Sequence, residues 1–239
     1  MKSRGGMKIW ITKNGNRIVQ VLGGRNNVFL LLNGERKMLI DTGIRLFRKK
    51  LQRKLSQLGV CRIDLLVLTH SHFDHAGNAR WIRERYHAPV IIHRDEASAL
   101  ETGTFILPRG TSAIPRFLIN SLAVWLARRL SCEPCPCDLM ADERFDLMDY
   151  GFDAYILHTP GHSPGSVSII ADNEIAMVGD TLFGIFRGSV FPPFASDASQ
   201  LVHSWGKLLM TGCKTFLPSH GSANGRQLVE KDYKRRTWK

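Results

Sequence analysis

Short strand-like runs punctuate the first part of the chain. Those at 8–11, 28–32 and 37–40 are rich in aliphatic residues and bounded by Gly, Asn or charged residues, and they predict strands. Residues 46–58 place Phe47, Leu51, Leu55 and Leu58 three and four positions apart, which predicts a helix. The run 63–68, Ile-Asp-Leu-Leu-Val-Leu, predicts a further strand. Downstream, 76–86 reads as a helix, 90–93, 154–157, 167–170 and 175–178 as strands, and 198–210 and 223–233 as helices. Two β-rich halves with helices outside them result, and periodicity by itself predicts a mixed α/β domain.

The pattern breaks between residues 99 and 142. Within it, residues 114–130 are amphipathic, with Pro115 in the first turn, Phe117, Leu118, Leu122, Trp125 and Leu126 apolar, and Arg116, Arg128 and Arg129 at the ends. They predict a helix inside a helical insertion at about 100–141. Such a helix could lid a cleft, make a homodimer contact or rest on a membrane surface, and the sequence leaves these uses open. A chain of 239 residues with 44% hydrophobic content suffices for one substantial core, so a single domain over 1–239 is expected. No run reaches the roughly 18–20 apolar residues of a membrane span, and the first dozen residues lack the apolar stretch of a signal peptide. The expectation is a cytoplasmic protein.

The chemistry is concentrated after the strand at 63–68. Thr69-His70-Ser71-His72-Phe73-Asp74-His75 supplies four metal-ligand side chains within six residues, a spacing with no packing rationale. Buried without a partner, each would cost several kcal/mol, on the order given for desolvated polar and charged groups. A divalent cation removes that penalty, and Zn is the first expectation for imidazole and carboxylate donors. Three further candidates each follow a strand-like run: His162 in His158-Thr159-Pro160-Gly161-His162-Ser163-Pro164-Gly165, Asp180 in Val178-Gly179-Asp180-Thr181, and His220 in Leu217-Pro218-Ser219-His220-Gly221. Side chains at the carboxyl ends of strands converge on the crevice where α/β folds bind ligands. No ligand role is assigned to His87, His93, His158 or His203.

Taken together, these motifs resemble the metallo-beta-lactamase fold superfamily, from about residue 28 to about residue 225. The resemblance implies a four-layered αββα sandwich. It also implies that His70, His72 and His162 hold one cation, that Asp74, His75 and His220 hold a second, and that Asp180 bridges them. Leu39-Ile40-Asp41-Thr42-Gly43 is similar to the family's early strand and turn, whose Asp supports the ligands from behind. True beta-lactamases of this fold lack the bridging carboxylate, so Asp180 points to the glyoxalase II, lactonase and phosphodiesterase-like branches. The flavodiiron branch carries Glu where His72 stands and needs a flavin domain. Glyoxalase II proper has a helical domain after its last His, whereas this chain closes soon after His220, which favours a generic ester, lactone or thioester over a glutathione thioester.

The function expected is therefore a binuclear metal-dependent hydrolase. A hydroxide bridging two divalent cations (Zn first, Fe or Mn otherwise), its pKa lowered from about 15.7 toward roughly 7, would attack the carbonyl, with Asp74 as the catalytic orienter or proton shuttle. Phosphodiesterase or nuclease-like cleavage at the same site is one alternative. A mononuclear iron persulfide oxygenase is another, against which the complete second ligand set stands. The balance of 33 Lys and Arg against 21 Asp and Glu gives a formal charge of +12, clustered at 45–54, 80–85 and 231–236. That surface attracts anions over a Debye length of roughly 10 Å. It suits a small anionic or acyl substrate, while the absence of an aromatic-interleaved module disfavours nucleic acid. Cys132, Cys135 and Cys137 lack a fourth nearby ligand and are read as free thiols on a Pro-stiffened turn.

Overall fold

The computed structural model describes residues 2–4, 7–24, 26–104, 111 and 132–237. The predicted helix at 114–130 lies outside them. The strands are β1 (Lys2–Arg4), β2 (Met7–Ile11), β3 (Arg17–Leu22), β4 (Val28–Asn33), β5 (Arg36–Ile40), β6 (Leu65–Val67), β7 (Val90–His93), β8 (Leu139–Ala141), β9 (Arg144–Asp146), β10 (Ala154–His158), β11 (Val167–Ala171), β12 (Ile175–Gly179), β13 (Thr215–Pro218) and β14 (Asn224–Gly225). The helices are α1 (Arg48–Gln57), α2 (Phe73–Ala76), α3 (Ala79–Tyr86), α4 (Arg94–Thr102), α5 (Ala198–Met210) and α6 (Arg226–Thr237).

Among the described residues, β1 to β8 form one sheet in sequence order and β14-β13-β12-β11-β10-β9 a second. The first begins as an antiparallel meander and turns parallel from β5 to β8. Its parallel strands are buried on both faces, which is why 65–67 and 90–93 are unbroken apolar runs closed by His93. Alternation along β4 and β5 divides the side chains between two cores. Leu30 and Leu39 pack with Leu51 and Leu55 of α1, Ile82 of α3 and Leu100 of α4. Leu31, Met38 and Ile40 face the other way, toward Ile156, Ile169 and Met177 of the second sheet. A third core sets Ile170, Ala176, Val178 and Phe216 against Leu201, Trp205 and Leu208 of α5 and Val229 of α6. Helices, sheet, sheet, helices: this is the αββα sandwich. Full burial of such side chains contributes about 1.5–3 kcal/mol each.

Several local expectations change. The helix foreseen at 76–86 is two pieces, because the Asn78 amide donates to the carbonyls of Thr42, Gly43 and Ile44 and turns the chain between α2 and α3. The helix foreseen from residue 223 starts at Arg226, since Asn224 and Gly225 pair with Phe216 and Thr215. Of the insertion foreseen at about 100–141, residues 105–110 and 112–131 lie outside the described residues. Residues up to Thr102 belong to α4, capped by Gly103 in the left-handed region, and Leu139–Ala141 is the sheet strand β8. Among the described residues no helix is long and apolar enough to cross a membrane.

Strand direction then positions the site. Asp41 follows β5, His70 follows β6, His162 follows β10, Asp180 follows β12 and His220 follows β13, so the carboxyl ends of strands from both sheets open on one rim. Asn27 latches that rim. Its backbone N–H donates to Ser219 O (2.7 Å), and its amide donates to Pro218 O (2.7 Å) and Gly221 O (2.9 Å). Its Oδ1 accepts from Gln20 (2.7 Å). Asn27→Ala leaves two carbonyls without this donor, and a loss of about 1–3 kcal/mol is expected in urea equilibrium unfolding.

Candidate metal centre

The chain leaving β6 passes Thr69 and His70 and turns so that His72 caps α2, whose first turn carries Asp74 and His75. Asp180 leaves β12 at Gly179, which has φ +53 and no room for a side chain, since a Cβ there would lie 2.8 Å from the Thr69 side chain. That close approach brings the two sheets' ligand loops together. His70, His72, His75, His162 and Asp180 are buried, while Asp74 and His220 are partly exposed.

All seven predicted side chains converge. His70 Nε2 and His162 Nε2 lie 2.9 and 3.1 Å from His72 Nδ1. His220 Nε2 is 3.3 Å and His75 Nε2 3.8 Å from Asp74 Oδ2. Asp180 stands between the two groups, with Oδ2 3.4 Å from His162 Nε2, and with Oδ1 3.4 Å from His75 Nε2 and 3.3 Å from His220 Nε2.

The donor chemistry fits divalent cations. His75 Nδ1 donates to Asp41 (2.8 Å) and His162 Nδ1 donates to Phe194 O (2.9 Å), which turns Nε2 of each ring inward as a lone-pair donor. His75 Nε2 and Asp180 Oδ1 are buried without a hydrogen-bond partner. Each such group costs about 1–3 kcal/mol unless something else satisfies it. Imidazole nitrogen with carboxylate oxygen is the donor set of Zn, Fe and similar ions.

Charge divides along the same line. Burial holds His70 well below the usual imidazole range, and burial takes His162 down to about 4, so this side of the rim offers neutral imidazoles. Burial also opposes charge on His220, but Asp180 and Asp74 overcome it and push the ring up to about 10. His75 is likewise raised, by Asp180, Asp41 and Asp74 against burial. Burial would raise Asp74 and Asp180, yet His75 and His220 beside them hold both well below the carboxylate range. The carboxylates thus favour charge on His75 and His220, and a divalent cation held by these donors would take over that role with release of protons.

The supporting residues were only partly legible. Asp41, with φ 59, accepts from Thr69 N–H (2.8 Å), the Thr69 hydroxyl (2.9 Å) and the Ser219 hydroxyl (3.1 Å) as well as from His75. Thr69 and Ser219 each precede a ligand His directly, a signal that the sequence does carry. Asn26, which donates to Asp74 Oδ2 (3.0 Å), is 48 residues away and carries none. Glu96 was also missed, in a helix that the patterning did not predict. His93, Asp95 and His158 form a further cluster. The His158 nitrogens are taken by Glu143 (2.9 Å) and Pro164 O (2.8 Å), and its ring stacks on His93 at 4.0 Å, so the pair does not aim lone pairs at one point. Cys132 and Cys135 are buried in the first core, and that burial raises their thiols to about 12 and about 11.

Comparison with known proteins agrees with this geometry. The sequence model described as the Metallo-beta-lactamase superfamily matches residues 21–220. A probable metallo-hydrolase of Methanocaldococcus jannaschii is 31% identical over 182 residues, covering 76% of this chain and 79% of the relative. An acyl-coenzyme A thioesterase of Gallus gallus is 29% identical over 205 residues, covering 78% and 68%. Among solved structures, TTHA1623 in a di-iron-bound form superposes with a TM-score of 0.64 at 27% identity, covering 88% of this chain and 96% of that one. The chain belongs to the metallo-beta-lactamase superfamily and is a metal-dependent hydrolase.

Proposed function

We propose that the chain is a binuclear hydrolase of esters, lactones or thioesters, in which His70, His72 and His162 hold one divalent cation, Asp74, His75 and His220 hold the other, and Asp180 is shared. The observation that carries this reading is the placement of Asp180, one oxygen toward His162 and the other toward His75 and His220, with Oδ1 and the facing His75 Nε2 lacking hydrogen bonds. Two cations held there, Zn first and Fe or Mn by the same donors, would supply Lewis acidity, lowering the pKa of a water toward roughly 7 and polarising a carbonyl.

The chain's own groups do the rest. Asn26 fixes the Asp74 carboxylate at the open side of the rim, where it can accept a proton and pass it to the leaving oxygen or sulfur. Asp180, nearly buried, serves to hold the two ligand groups at a common spacing. Phe183 lies against the His220 ring at 4.7 Å, and Ile185 and Phe186 just beyond it are exposed, which gives an acyl group an apolar wall. The thioesterase among the relatives supports an acyl substrate. Thr111 of the insertion donates to the carbonyls of Pro192 and Pro193 (2.9 Å each), beside the Phe194 carbonyl that orients His162. Thr111 is thus tied to the loop behind His162.

Mass spectrometry of protein purified without added metal is expected to find about two cations per chain. Chelation is expected to lower the melting temperature, because a ligand at 100 times its Kd stabilises by about 2.7 kcal/mol. Asp180→Ala is expected to lose cations first and kcat/KM by on the order of 100-fold or more, above what loss of an outer partner costs. Asp74→Ala should behave likewise, and retention of both metals with full turnover would remove Asp74 from the proton path. In a panel of nitrophenyl ester, lactone, thioester and bis-nitrophenyl phosphate, turnover of an acyl substrate is expected. Cleavage of the diester alone, which the +12 charge would favour, moves the chain to phosphodiester chemistry.

A further inference from the structure

Glu96 is buried, 5% exposed, in the first turn of α4, and takes no part in the ligand set. A Glu three residues after a helix cap ordinarily folds back on the cap's own N–H. Here the carboxylate does not. Its Oε2 accepts from the Ser71 N–H (3.1 Å) and, at short range, from the Ser71 hydroxyl. Its Oε1 accepts from the Gly165 N–H (3.2 Å). A Cβ on Gly165 would sit 2.5 Å from Glu96 Cγ, so the loop closes on this side chain with no space to spare. The same loop is held from its other side by His158, whose Nε2–H donates to Pro164 O (2.8 Å).

The two segments joined in this way are those that carry one ligand triad. Ser71 separates His70 from His72, and Ser163 follows His162. The second group is supported elsewhere, His75 by Asp41 and Asp74 by Asn26. A buried carboxylate with several hydrogen bonds from two loops is expensive to leave half-satisfied, which makes their relative position sharply defined.

Resting on the two-metal reading above, we propose that Glu96 is a positioning residue for the His70, His72 and His162 site alone, setting the spacing of its two loops and thereby its cation affinity. Removing it is expected to weaken that site by about 10–100-fold, the range for partners that orient ligands, and to leave the other site within about 3-fold.

The test is competitive zinc titration against a chromophoric chelator on stripped protein, with the cobalt(II) absorption spectrum as a second readout. Glu96→Ala is introduced into His220→Ala, which keeps the triad, and into His72→Ala, which keeps the Asp74, His75 and His220 group. Loss confined to the first background, with an altered cobalt spectrum there, supports the proposal. Equal loss in both backgrounds, or none in the first, overturns it. Should Glu96→Ala not fold, Glu96→Gln is read in the same way. It keeps the shape but turns one acceptor into a donor, and unchanged triad affinity in it overturns the proposal too. A parent chain that takes up no metal at the triad overturns the two-metal reading and the positioning role with it, whereas two intact sites indifferent to residue 96 overturn the positioning role alone.

Discussion

Two carboxylates and five imidazoles share one rim, and nearly all of them are buried. Like groups at such distances repel when charged and are costly when desolvated, so the cluster exists only because charge is balanced within it. The balance is uneven in space. Around His162 burial disfavours charge on the rings, and around Asp74 and Asp180 the carboxylates favour it on His75 and His220. A site of this kind is prepared to exchange protons for cations, because the ligand atoms already face each other and the hydrogen bonds that would otherwise satisfy them are missing at His75 Nε2 and Asp180 Oδ1.

What holds the cluster open is rigid structure behind it. The candidate side chains follow strand ends whose registers are set by three apolar cores, and the outward nitrogens of His75 and His162 are tied to Asp41 and to the Phe194 carbonyl. Asp41 tolerates a left-handed backbone, φ 59, so that one carboxylate can gather Thr69, His75 and Ser219 from three segments. Strain at such a residue persists only where several bonds over-determine it. Asn27 performs a comparable task for the His220 loop, with its amide and its backbone. Distant parts of the chain are therefore joined by polar contacts at the rim and by apolar ones beneath it.

The apolar patterning was legible because it follows local geometry. The strands at 28–33, 36–40 and 90–93 and the helix at 198–210 lie within a residue or so of where the spacing of apolar side chains puts them. It failed where a tertiary contact outweighs local preference. Asn78 breaks a continuous helical pattern to bind three carbonyls of another loop, and α4 buries the charged Glu96 beside Ala97 and Leu100, which a reading by apolar spacing does not mark.

The seven ligand-type residues were named by the sequence itself, since His and Asp at these spacings after apolar runs have few other uses. So was their order along the chain. Only the fold decided that Asp180 turns its two oxygens to opposite groups, that Asn26 reaches Asp74, and that Glu96 ties Ser71 to Gly165. Each of these is a meeting of segments far apart in sequence. Such meetings depend on strand register and on which ring nitrogen is already engaged, quantities that exist only once the two sheets have packed.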